Sequence, residues 1–325
     1  MGSGGTAMGV VGRRAGGPSV TAGAAWIFPG QGSQTVGMGR ELAERYPEAK
    51  AVFEEADETL GFSVSDLCWN GPEAELTRTA NQQPALLTVS IATLRVLLKE
   101  DLLHEPDYVA GHSLGEYSAL VAAGSLAFAD ALRIVRRRGE LMEEYGRGGM
   151  VAVIGLDDEA MQLVANESGS EVANFNAPGQ TTLSGSADAL EVAQIAAKAR
   201  GARRVIKLPV NGAFHSSLMM PVATELSRDI DQVEIVKPRV PLVSNVTGEP
   251  IANPDDIRNE LVEQICASVR WTRGIETMVE LGVTHFYEVG AGSVLTGLVG
   301  RIDKSVTAIS SEKLLGDRLK SGGAA

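Results

Sequence analysis

The 325-residue chain predicts an α/β fold: a large unit built on a mostly parallel sheet, interrupted by a small inserted βαββαβ unit. Three observations predict it. Short apolar stretches alternate with longer helical patterns, as in a parallel sheet covered on both faces. Residues 150–209 read strand, helix, strand, strand, helix, strand, the order of a ferredoxin-like split motif. Glycine-bearing joints, Gly146-Arg-Gly-Gly149 and Asn211-Gly-Ala213, bracket that run and mark it as an insertion.

The first strand, 24–28, is Ala-Ala-Trp-Ile-Phe and ends at the loop Pro29-Gly-Gln-Gly-Ser-Gln34. Helical patterns follow over 37–60, 73–80 and 84–103. Strand 107–110 runs into Gly111-His-Ser-Leu-Gly115 and a helix over 114–123. Helix 129–145 carries Ala131, Ile134, Val135, Leu141 and Met142 at helical spacing, with Asp130 as a candidate cap. The insertion comprises strand 150–155, helix 157–168, strands 171–176 and 180–185, helix 187–200 and strand 203–209. Helix 214–230, strand 240–245, helices 254–267 and 271–281, strand 284–289 and helix 293–301 complete the large unit, where helix 214–230 begins just before His215. The large unit is thus expected over 24–147 and 212–315, and the insertion over 148–211. Residues 1–23, rich in Gly, Ala and Ser, are expected to be a disordered leader or tag, since no apolar run follows Arg13-Arg14. Residues 316–325 are expected to be a disordered tail.

Composition narrows the function classes. A formal net charge of −12 argues against nucleic acid or an anionic membrane as the main partner. No apolar run reaches the roughly 18 residues that span a bilayer. The two cysteines, Cys68 and Cys266, have no metal-type spacing and suit a reducing, cytoplasmic setting. The four histidines form no metal-ligand cluster, so no metal is expected.

Gly111-His-Ser-Leu-Gly115, between a strand and a helix, has the pattern of a nucleophile elbow. Side chains at either flanking position would crowd the sharp turn, so glycines there push the Ser113 hydroxyl outward. The following helix aims its first amides at the same point, where an oxyanion would develop. Ser113 needs a base. His112 lies on the elbow itself, His104 in a loop and His285 at a late strand. His215 sits where the insertion rejoins the large unit, which favours it as the base over an ordinary helix-start histidine. No acid for a triad is evident, and a carbonyl can orient an imidazole instead. Arg138 lies within the apolar stripe of its helix, whereas Arg136 and Arg137 lie off it. A guanidinium there either binds a substrate carboxylate, snorkels to the stripe's edge or pairs with an internal acid such as Glu116. The loop at 29–34 allows close backbone approach but does not match a dinucleotide fingerprint.

These pieces, in this order, resemble the malonyl-CoA:acyl carrier protein transacylases of bacterial type II fatty-acid synthesis. The resemblance rests on Phe28-Pro-Gly-Gln-Gly-Ser-Gln-Thr-Val-Gly-Met38, Gly111-His-Ser-Leu-Gly-Glu-Tyr-Ser-Ala-Leu120, Asn174-Phe-Asn-Ala-Pro-Gly-Gln180, Gly212-Ala-Phe-His215 and Tyr287-Glu-Val-Gly-Ala-Gly292, and runs from about 24 to 302. It implies an α/β-hydrolase-like large subdomain with the ferredoxin-like insert. It implies that Ser113 carries the malonyl group as an ester, that His215 is base and then acid, and that Arg138 holds the malonyl carboxylate. The amides of Gln31 and Leu114 would form the oxyanion hole. Gln264, seven residues before Trp271, would support the histidine, and the Asn245 carbonyl would orient it. Phe214 would crowd a 2-methyl branch and favour malonyl groups. The partners implied are malonyl-CoA and acyl carrier protein, with no cofactor beyond the phosphopantetheine on that carrier, and the chain is expected to act as a monomer. Because the carrier is acidic, Lys198, Arg200, Arg203, Arg204 and Lys207, with Arg136 and Arg137, are candidates for its docking face. A solvated charged surface is the plainer reading of the same residues. A serine hydrolase, a non-catalytic carrier-binding module and an acyltransferase piece of a polyketide synthase are the competing readings.

Overall fold

The computed structural model describes residues 23–320. Its ten strands are β1 (Gly23–Phe28), β2 (Tyr108–Gly111), β3 (Gly149–Ile154), β4 (Glu171–Ala177), β5 (Gln180–Gly185), β6 (Arg204–Lys207), β7 (Leu242–Val243), β8 (Pro250–Ile251), β9 (Val283–Glu288) and β10 (Thr307–Ser310). The large sheet has the order β10-β9-β1-β2-β7-β8. It is parallel throughout except for β8, which returns antiparallel to β7. Strand β1 shows why both faces are covered. Trp26 and Phe28 join one apolar cluster, and Ala25 and Ile27 join another on the opposite face. The chain is therefore α/β with an α/β-hydrolase-like large part.

The second sheet has the order β4-β5-β3-β6 with antiparallel neighbours. Helices Asp158–Ser168 and Ala187–Ala199 pack on one face and close a separate core around Val151, Val153, Met161, Val164, Leu183 and Leu190. That is the ferredoxin-like arrangement. It touches the large part where Phe175 N donates to Val269 O at 2.9 Å and Val269 N donates to Ala173 O at 2.8 Å.

Several elements differ from the expectation, each for a local reason. The pattern at 37–60 divides into helices Arg40–Arg45 and Pro47–Leu60, because Pro47 can open a helix but not continue one. A helix at Val64–Asn70 was not anticipated, although Ser63 caps it by accepting from Asp66 N at 3.1 Å. The helix expected over 84–103 runs over Thr79–Lys99 instead, with Pro84 inside it. Pro84 leaves Ala80 O without an amide, and Arg136 Nη1 donates to that carbonyl at 3.3 Å. Asp130 does not cap its helix, which spans Phe128–Tyr145 with Ala127 at the cap position; it pairs with Arg133 instead. The helix expected from 214 opens as a short 3-10 turn, Ser217–Met219, and becomes α-helical only over Met220–Ile230. The segment expected as a tail begins within the helix Ser311–Lys320, and residues 321–325 lie outside the described residues, as do 1–22 of the leader. Among the described residues, no helix is long and apolar enough to cross a membrane.

Candidate active site

Strand β2 delivers the chain into the turn at Ser113, whose φ is +51°. An ordinary side chain disfavours that conformation, so the surroundings must enforce it. They do so through glycine. A Cβ on Gly111 would sit 1.9 Å from the Gly115 carbonyl carbon, and one on Gly115 would sit 2.1 Å from Phe28 O. Asn245 clamps the turn from the side: its Oδ1 accepts from Ser113 N at 2.7 Å and its Nδ2 donates to Gly111 O at 2.7 Å. Leu114 follows directly, at the amino end of helix Gly115–Ala122, where amides have no acceptor within the helix. Parallel pairing of Phe28 with Gly111 brings the 29–34 loop alongside, and His112 N donates to Phe28 O at 3.0 Å. Gln31 lies on that loop, with its side-chain Nε2 donating to Gln82 Oε1 at 2.7 Å.

His215 lies 2.8 Å from Ser113 Oγ through its Nε2. It too has positive φ, +58°, and is 4% exposed. The strained loop that precedes helix Met220–Ile230 points the ring at the serine. Its Nδ1 lies 2.8 Å from the main-chain oxygen of Gln264, to which Nδ1–H donates, leaving the Nε2 lone pair for the serine hydroxyl. Orientation by a carbonyl therefore stands, but the residue differs from the expectation: Asn245 O accepts from Arg270 N at 2.8 Å and does not meet the imidazole. Gln264 follows the last turn of helix Pro254–Glu263, so its carbonyl is free of a helical partner. Burial, reinforced by the Arg138 cation, lowers the His215 pKa to about 3, so the ring is neutral at pH 7.

Arg138 is fully buried. Its Nη2 donates to Ser113 Oγ at 3.1 Å and to Gln264 Oε1 at 3.1 Å, and its Nη1 donates to Gln83 Oε1 at 2.9 Å. Among the described residues, no carboxylate lies within ion-pair distance of it, and its Nε has no partner. The two alternatives of snorkelling and of pairing with Glu116 are thereby removed. Glu116 instead accepts from Asn245 N at 2.7 Å and from Gln264 Nε2 at 2.5 Å. A buried cation held only by neutral acceptors is poorly compensated, and an arriving anion would complete it. Gln83 was not anticipated. It is a fully buried amide beside Gln82, on a helix that also buries Thr88, Ser90 and Thr93, a signal that becomes readable once the helix is known to start at Thr79.

A cleft of about 740 Å³ opens beside this cluster, lined in part by Gln31, Gln82, Met142, Leu208 and Asn211. Phe214 is buried next to His215, with Ser184 Oγ donating to its carbonyl. The basic residues divide. Arg136 and Arg137 are tied to Glu140, Arg137 also faces Asp229, and Arg200 pairs with Glu167. Arg203 and Arg204 instead line a groove of about 690 Å³ with Arg301 and Lys304, and among the described residues no acidic one lines it. Lys198 and Lys207 do not line that groove.

The acyl transferase domain family matches residues 25–324. A malonyl CoA-acyl carrier protein transacylase of Bacillus subtilis is 47% identical over 294 residues, covering 88% of this chain and 92% of that protein. The crystal structure of an acyl carrier protein S-malonyltransferase from Vibrio cholerae superposes with a TM-score of 0.85 at 42% identity, covering 88% of this chain and 96% of the other. A malonyl-transacylase solved in complex with a type II PKS acyl-carrier protein superposes with a TM-score of 0.87 at 41% identity, covering 92% of this chain and all of the other. With the elbow, the buried arginine and the inserted sheet in place, the chain belongs to the acyl transferase domain family and is an acyltransferase of the malonyl CoA-acyl carrier protein transacylase kind.

Proposed function

We propose that the chain moves a malonyl group from malonyl-CoA to the phosphopantetheine thiol of acyl carrier protein by a ping-pong reaction through an ester on Ser113. One observation carries the reading: the buried Arg138 guanidinium, with no carboxylate partner among the described residues, lies 3.1 Å from the Ser113 hydroxyl. A planar fork at that distance suits an acyl group with a carboxylate at its far end.

His215 Nε2 takes the Ser113 proton as the oxygen attacks the thioester carbon. The amides of Gln31 and Leu114 receive the oxyanion. The tetrahedral intermediate collapses, the C–S bond breaks, and the protonated His215 returns its proton to the departing CoA thiolate. The carrier thiol then enters, loses its proton to His215 and attacks the ester, and Ser113 leaves with that proton. Gln264 O holds the imidazole tautomer in both halves. Phe214 limits room beside the acyl group. No metal or resident cofactor enters these steps, and every residue in them comes from a single chain. The cationic groove at Arg203, Arg204, Arg301 and Lys304 supports docking of the acidic carrier there. The free thiols of Cys68 and Cys266 suit reaction in the cytoplasm, with the product serving chain elongation in fatty-acid synthesis.

Intact-mass measurement after mixing with malonyl-CoA tests the reading. One malonyl adduct, mapped to the Ser113 peptide and released by holo carrier protein as malonyl-carrier, is expected. An adduct that survives Ser113→Ala, or prompt release of free malonate to water with the carrier left unloaded, would refute it.

A further inference from the structure

Glu116 is a fully buried carboxyl that the steps above do not use. It lies three residues after Ser113, in the first turn of helix Gly115–Ala122. Its oxygens hold the two segments that grip the nucleophile. Oε1 accepts from Asn245 N, and Asn245 clamps the Ser113 amide. Oε2 accepts from Gln264 Nε2. That amide nitrogen has two hydrogens, and the second goes to Ser113 O at 3.0 Å. Both groups facing the nitrogen are acceptors, so the amide can stand only one way round, with Oε1 toward Arg138. The polarity of this side-chain amide decides whether Arg138 meets an acceptor or a second donor.

We propose that Glu116 is a positioning residue for acyl selection: by holding the Gln264 amide in one orientation, it aims the Arg138 fork at the carboxylate of the incoming acyl group. The proposal rests on the reading of Arg138 as the carboxylate's partner. It gives the buried acid a role distinct from that of a triad acid. Glu116 touches neither His215 nor the reacting atoms, and it acts through one rotatable amide. Burial and the facing carboxyl of Glu260 push Glu116 well above the ordinary carboxylate range. Glu116 meets the Arg138 fork only through the Gln264 amide, so the guanidinium is left open to an arriving carboxylate.

Glu116→Gln separates the possibilities. The new side chain has one oxygen and one NH₂ where two oxygens stood. The backbone N–H of Asn245 cannot turn, so it keeps the oxygen, and the NH₂ meets Gln264. The Gln264 amide then rotates and presents NH₂ to Arg138. The ratio of Ser113 labelling rates with malonyl-CoA and acetyl-CoA is expected to fall about tenfold or more, the scale of a charge-assisted hydrogen bond. A purely structural role would slow both acyl groups alike and leave the ratio at the parent's value, which overturns the proposal. In a Gln264→Met background, Glu116→Gln is expected to change the ratio no further, and an additional loss of the same size overturns action through Gln264. If Glu116→Gln does not fold, Glu116→Asp, one methylene short of Gln264, is read in the same way: a lowered ratio supports the proposal and the parent ratio overturns it. Arg138→Ala keeps the two readings apart. An unchanged ratio in that variant would sink the carboxylate reading itself. A collapsed ratio there with the parent ratio in Glu116→Gln would sink only the role of Glu116.

Discussion

Among the described residues, Arg138 and the groove at Arg203 and Arg204 hold cations without a carboxylate partner, and they do so in opposite ways. Arg138 is sealed in the protein beside Ser113, gripped by Gln83, Gln264 and the serine hydroxyl. Arg203, Arg204, Arg301 and Lys304 line an open groove between the inserted sheet and the helix Val294–Ile302. In the first place the charge is fully buried, the fork is fixed by three neutral acceptors, and one bound anion makes a large energetic difference. In the second, solvent and salt screen each charge, so only their sum matters and only at short range. A buried single charge suits choice of a small acyl group, and an exposed cluster suits the approach of a large acidic surface.

That contrast can be broken most sharply at Arg138. Replacing it with alanine is expected to cost about 1.5–3 kcal/mol or more in malonyl acylation relative to acetyl acylation, roughly a factor of ten to more than a hundred. Equal loss for both acyl groups, measured by labelling rates on Ser113, would make the arginine a structural support. Reversing charge at Arg203 and Arg204 should act more gently. The KM for carrier protein is expected to rise several-fold at low salt, the difference should shrink as salt is added, and loading from malonyl-CoA should stay at the parent rate. A KM that does not move would place the docking face elsewhere. The smallest effect concerns pH. His215 must be neutral to accept the serine proton, and its pKa is lowered to about 3, below the ordinary histidine value of 6.5. The neutral form therefore persists as pH falls through 6.5, and kcat/KM for acylation should stay flat there and decline only further into acid. A decline centred near 6.5 would mean that the imidazole is solvated in the working enzyme.

The two sites were also unequally legible. Gly111, Ser113 and Gly115 are close in sequence, and their geometry follows from local sterics, so the elbow could be read from five letters. Arg138 was visible as a cation inside an apolar stripe, yet three fates for it remained open until Gln83, Gln264 and Ser113 were seen around it. The orienting carbonyl was assigned to Asn245 and belongs to Gln264. Nothing in the chain's order distinguishes them, because both lie in segments that reach the site only when folded. The candidate docking cations were read as a run around the end of the insertion together with Arg136 and Arg137 on the helix before it. Folding withdrew Arg136, Arg137 and Arg200 into ion pairs and added Arg301 and Lys304 from about a hundred residues away.

What the chain alone determined is what short-range physics decides: alternating apolar periods for a covered sheet, glycines where a Cβ would strike backbone, and the separate order of the inserted strands. What only the tertiary structure decided is who shares a proton or a charge with whom. Hydrogen-bond partners across 50 to 150 residues depend on packing to within a few tenths of an ångström, and Glu116, Gln264, Arg138 and His215 acquire their polarity from one another.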